Sequence, residues 1–122
     1  GEYNVSDVYQ TGTFWSLYRN DAYVKQVGHD NWVGLDQRGE GNYFSATQMG
    51  HDNYVGGTVS DYAYQNGYRN SATISQDGHD QWSESSQVGS NNWIELRQYD
   101  HDQYSYIDQN GSRNGVIVVQ RN

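Results

Sequence analysis

A repeat constrains this chain more than any other feature: the pattern Gln-x-Gly-x-x-Asn, separated by five residues from the next Gln, recurs along nearly its whole length. Six copies are complete, at 26–31, 37–42, 48–53, 65–70, 87–92 and 109–114. Three are degenerate. The copy at 76–81 ends in Gln81, the copy at 98–103 ends in Gln103 and has Asp100 in place of Gly, and the copy opening at Gln10 runs through Gly12-Thr13-Phe14-Trp15 into about five extra residues before Asn20.

The basic period is 11, but two kinds of turn alternate, so the structural unit is 22 residues. His-Asp stands at 29–30, 51–52, 79–80 and 101–102, whereas the intervening turns end in Asn20, Asn42, Asn70, Asn92 and Asn114. Each unit therefore holds two strands and two different turns. Five coils are expected, at about 4–26, 31–48, 53–76, 81–98 and 103–120, in one domain spanning 1–122. The third carries six extra residues between Asn53 and Gln65, around Gly56-Gly57-Thr58. An even insertion preserves the inside–outside alternation of a strand, so it is expected to bulge outward.

Between each Asn and the following Gln, apolar residues recur at a period of two, the strand period. Pairs such as Val33/Leu35, Phe44/Ala46, Ala72/Ile74, Ile94/Leu96 and Val116/Val118 share one face. Tyr23/Lys25, Glu95/Arg97 and Tyr106/Asp108 share the other. A helical period is absent, and Gly interrupts every unit. Gly28, Gly39, Gly50, Gly67, Gly78, Gly89 and Gly111 are placed at the chain reversals, where flanking Asn or Asp tolerates a left-handed backbone. A strand-turn-strand unit cannot bury its own core face, so coils must stack. The fold class is all-β: a two-sheet parallel β-solenoid with coils about 4.8 Å apart and sheets about 10 Å apart.

Stacking puts like residues above one another, and this gives the glutamines a role. An unpaired buried amide costs about 1–3 kcal/mol, but a column of amides bonds to itself from coil to coil. Gln10, Gln37, Gln65, Gln87 and Gln109 form one expected column, and Gln26, Gln48, Gln76, Gln98 and Gln120 a second.

Composition fits such a fold and narrows function. A hydrophobic fraction of 34% and a mean hydropathy of −1.05 would suit a disordered chain. Yet 12 Tyr, 4 Trp and no Pro are strand-compatible. A net charge of −8 argues against nucleic acid or an anionic membrane surface as partner. No Cys is present, so disulfides, thiolate zinc sites and thiol nucleophiles are excluded, and no segment is apolar enough for membrane insertion. The chain opens Gly1-Glu2-Tyr3-Asn4, as a mature form with its leader removed would.

These repeats resemble the curlin family, on the strength of Gln-x-Gly-x-x-Asn followed by a small residue and a second Gln, as in Gln65 to Gln76 with Ala72. The resemblance implies a secreted subunit, unfolded on export, that builds curli fibres of a bacterial biofilm matrix with a nucleator subunit and secretion or chaperone factors as partners. Departures are the repeat starts Asn4, Asn31, Asn53, Gln81 and Gln103 where the family typically has Ser, the two expanded segments, and the abundance of Trp and Tyr. Major subunit and nucleator both remain open.

Function is then expected at the ends. Prolines are absent, and the terminal strands carry little charge to block pairing. The last is Gly115-Val116-Ile117-Val118-Val119, and the first contains Val5 and Val8 with Asp7 as its one charge. Head-to-tail stacking of such ends gives a homopolymer, a functional amyloid. Neither a cofactor nor catalysis is expected, because the repeat accounts for the spacing of the polar residues. Two columns invite other readings. The His-Asp edge is read as exposed hydrophilic turn residues, one His and one Asp per coil offering few ligands to one ion, in preference to a metal or proton sensor, and the outward Val5, Trp32, Tyr54, Trp82 and Tyr104 are a candidate polysaccharide site or simple cross-strand stacking. The alternative to a polymer is a monomeric β-solenoid that binds carbohydrate or ice.

Overall fold

The computed structural model describes residues 3–12, 17–56 and 62–122. Part of the first-coil expansion, 13–16, and the centre of the second, 57–61 with Gly57 and Thr58, lie outside the described residues.

Strands alternate between two sheets. The first sheet holds β1 (Val5–Thr11), β3 (Trp32–Glu40), β5 (Tyr54–Gly56), β6 (Ala63–Tyr68), β8 (Trp82–Ser90) and β10 (Tyr104–Ser112). The second runs β2 (Asp21–His29), β4 (Tyr43–His51), β7 (Ser71–His79), β9 (Trp93–His101), β11 (Gly115–Gln120). All pairings are parallel and join like positions of successive coils, for example Gln26↔Gln48, Gln48↔Gln76 and Gln76↔Gln98. The chain is thus a two-sheet β-solenoid, closed on one edge by the Asn turns and on the other by the His-Asp turns. No helix of the described residues is long and apolar enough to cross a membrane.

The core lies between the sheets and is filled by the inward pairs. Val33, Leu35, Phe44, Ala46, Ala72, Ile74, Ile94 and Leu96 are buried, with Val116 and Val118 packed against them from the last coil. The third coil fills its inward pair from both sides of the insertion: Val33 pairs with Val55 and Leu35 with Ala63. Both Val55 and Ala63 are buried, so the even insertion leaves the alternation intact. The returning arm is held by Tyr62, whose hydroxyl donates to Asp7 at 2.9 Å. Its ring meets Tyr9 edge-on at 5.4 Å and tilts against Trp32 at 6.0 Å. Tyr62 therefore anchors the start of the returning arm on the outer face of the first two coils.

The turn glycines differ from expectation in one respect. Gly28, Gly50 and Gly78 lie within the strand ladder, one residue before the strand ends, and the left-handed residue of the reversal is the Asp that follows His. What requires glycine is close approach. At Gly50, with φ 111°, a Cβ would sit 1.8 Å from the carbonyl oxygen of Gly78 in the next coil.

Candidate polymerisation surface

The ends of a solenoid inherit whatever its interior coils use to bind one another, so the coil-to-coil contacts define the candidate surface. Two glutamine columns run through the molecule. In the first, Nε2 of Gln10 donates to Oε1 of Gln37 at 2.7 Å, Gln37 to Gln65 at 2.7 Å, Gln65 to Gln87 at 2.8 Å and Gln87 to Gln109 at 2.9 Å. In the second, Gln26, Gln48, Gln76, Gln98 and Gln120 are linked at 2.8–2.9 Å. From Gln26 onward each Nε2 also reaches a backbone carbonyl of the opposite sheet, as Gln65 does to Tyr43 at 3.0 Å and Gln120 to Tyr104 at 2.9 Å. Buried amides thus tie sheet to sheet as well as coil to coil, and their desolvation is offset by bonds in both directions.

Asparagine columns do the same at the corners, a role that the sequence displayed in the last letter of the repeat but that the glutamines overshadowed. Oδ1 of Asn31 accepts the backbone N–H of Asn53 at 3.3 Å, while Nδ2 of Asn31 donates to the Gly50 carbonyl at 3.0 Å. On the opposite edge Asn20, Asn42, Asn70, Asn92 and Asn114 form an unbroken series. The His-Asp edge is faulted toward its C-terminal end. Oε1 of Gln81 and Nε2 of Gln103 are buried without a hydrogen-bond partner, and Asp100, at φ 76°, occupies the glycine position. Nε2 of Gln81 still donates to the carbonyls of Asp77 and Asp100, the positions that Asn53 uses at Met49 and Gly78, so at Gln81 it is the oxygen alone that the longer side chain misplaces.

The glutamine columns have a direction. Every donor lies in the earlier coil and every acceptor in the later one, so Gln10 and Gln26 present Oε1 at one end and Gln109 and Gln120 present Nε2 at the other. The end strands match this polarity. Val8 of β1, an inward residue paired with Leu35, is 39% exposed, whereas inward residues of the middle coils are fully buried. Val116 and Val118 are half-buried, each paired on one side only, with Ile94 and Leu96.

The outer columns are now placed. Trp32, Tyr54 and Trp82 stack face to face, with centroids 4.7 and 3.8 Å apart, so the ring faces that a sugar would need are spent on one another. The His rings at 29, 51, 79 and 101 also stack, at 5.1, 4.9 and 5.4 Å, each Nδ1 lying 2.9–3.1 Å from Oδ2 of the adjacent Asp. Among the described residues no group of three or more His, Cys, Asp or Glu is placed to hold a metal ion.

Comparison with known families places this arrangement. The model of the curlin associated repeat matches residues 67–99, which run from the end of β6 through β7 and β8 into β9. No curated protein and no solved structure matches the chain. The matched segment holds Gln76, Gln87 and Gln98, members of both amide columns that cross every coil, so over these residues the chain is similar to the curlin associated repeat.

Proposed function

We propose that this protein is a structural subunit that polymerises head to tail into an extracellular amyloid fibre of the curli type, serving adhesion and surface colonisation in a biofilm matrix. The observation that carries this is the complementarity of the two ends. Continuing the observed register by one coil sets β10 against β1 of the next subunit and β11 against its β2. Gln109 then donates to the next Gln10, Gln120 to the next Gln26, Ile107 meets Val8, and Val116 and Val118 meet Ala22 and Val24. Both amide columns and the core continue without a break. A reversed subunit would set amide donor against donor, so the filament has one direction. Partners are other copies of the chain, with a nucleator and secretion or chaperone factors expected from the family.

Seeded growth tests this. On dilution from denaturant, thioflavin fluorescence should rise after a lag that sheared fibrils of the same protein abolish, and the product should be unbranched fibres. A soluble β-rich monomer indifferent to seeds would overturn the proposal.

A further inference from the structure

The two edges of the solenoid differ in charge, and this bears on how filaments associate. The Asn-turn edge carries Arg19, Arg69 and Arg113, all exposed, against Glu40 within a turn and Asp21 next to Asn20 among the described residues. On the His-Asp edge stand Asp30, Asp52, Asp80, Asp100 and Asp102, all exposed, with Arg121 at its C-terminal end stacked on Tyr99 at 4.8 Å. One edge is net basic and the other strongly acidic, although the chain as a whole has a charge of −8. Arg69 is also held in place, its guanidinium lying between the Tyr18 and Tyr68 rings at 4.6 and 4.8 Å.

The nine-residue strands that make up most of both sheets separate the edges by over ~20 Å. At about 0.1 M salt the screening length is ~10 Å, so a filament alongside another feels the edge it faces rather than the total charge. Like edges repel, and a basic edge facing an acidic one attracts.

We propose that filaments of this protein pair laterally edge to edge, the Asn-turn edge of one against the His-Asp edge of a second copy, to give flat ribbons. This rests on the polymer reading. Because the two contacting patches are different, the contact is heterologous and does not close on itself, so pairing extends to a third filament and beyond. The sheet faces stay exposed in such a ribbon.

The test separates growth along the axis from pairing across it. Fibres of the wild type and of the triple variant Arg19→Glu, Arg69→Glu and Arg113→Glu are grown from seeds and imaged by electron microscopy at 0.1 M and 1 M salt. Ribbons of the wild type at 0.1 M should separate into single filaments at 1 M, where the screening length falls to about 3 Å, and the variant should give single filaments at both. A second variant, Asp30→Asn, Asp52→Asn, Asp80→Asn and Asp102→Asn, keeps residues that tolerate the left-handed turn and should also abolish ribbons. Wild-type and variant fibres of equal width at both salt concentrations would overturn edge pairing while leaving the fibre itself intact. Absence of any wild-type filament would overturn both.

Discussion

At the scale of single residues, the buried amides set the energetics. Replacing Gln65 with Leu removes the acceptor of Gln37, the donor to Gln87 and a bond to the Tyr43 carbonyl. With about 1–3 kcal/mol for each buried group left unpaired, a loss of more than 3 kcal/mol is expected in denaturant unfolding. Among the described residues Gln10→Leu breaks only the bond to Gln37, and it should cost about 1 kcal/mol. Equal losses at the two positions would show that the column contributes nothing. Gln81→Asn should act in the opposite sense, stabilising by about 1 kcal/mol, because it removes the orphaned Oε1 and restores the corner amide used in the earlier coils. Tyr62 offers a pH signature. Its hydrogen bond to Asp7, with burial and the Asp7 charge adding, pushes the phenol up to about 12 from 10. The folded state favours the protonated phenol, so this contribution is complete below pH 10 and is lost as the pH rises through 12. Absorbance titration should show late ionisation of Tyr62 that Tyr62→Phe removes, while Tyr104, also raised by burial and by the Glu84 charge, keeps its own upward shift.

Strands and coils obey a stricter rule, that of stacking without room for a Cβ at the turn glycines. Gly50→Ala would force a methyl to 1.8 Å from the Gly78 carbonyl at φ 111° and should prevent folding of the central coils, seen as loss of the β signal in circular dichroism. Gly111→Ala differs, since within one chain its Cβ meets only Asn114 Nδ2 at 3.6 Å. It bears backbone strain but no clash until another coil stacks on it, so it should slow seeded elongation far more than it weakens the soluble chain. At this scale most of the fold was legible in the sequence. The period of two assigned Val33, Leu35, Phe44 and Ile74 to the core, and the 22-residue alternation separated the two edges. Val55 and Ala63 were not legible as a core pair, because the insertion separates them in sequence and only the register against Val33 and Leu35 reunites them. Nor was the tie from Tyr62 to Asp7, since side chains outside the repeat follow no period. The glycines were assigned to the reversals themselves because sequence shows where a small residue recurs but not which carbonyl approaches it.

For the whole molecule, the central claim is that folding within one chain and assembly between chains are the same event, with the fifth coil of one subunit serving as the platform for the first coil of the next. Nothing in the described end strands changes the direction or spacing of the ladder, and the core thins toward each end instead of closing over. Cross-linking across the junction tests this most directly. Asn110 and Thr11 are exposed at equivalent positions of β10 and β1, each one residue after the column glutamine. They should lie side by side across the junction, within the Cα separation of about 4.4–6.8 Å that a disulfide spans. Chains carrying only Asn110→Cys and chains carrying only Thr11→Cys, co-assembled from seeds and oxidised, should give a mixed disulfide between the two variants and little of either symmetric one. Fibres that yield symmetric dimers, or no cross-link at all, would contradict head-to-tail stacking.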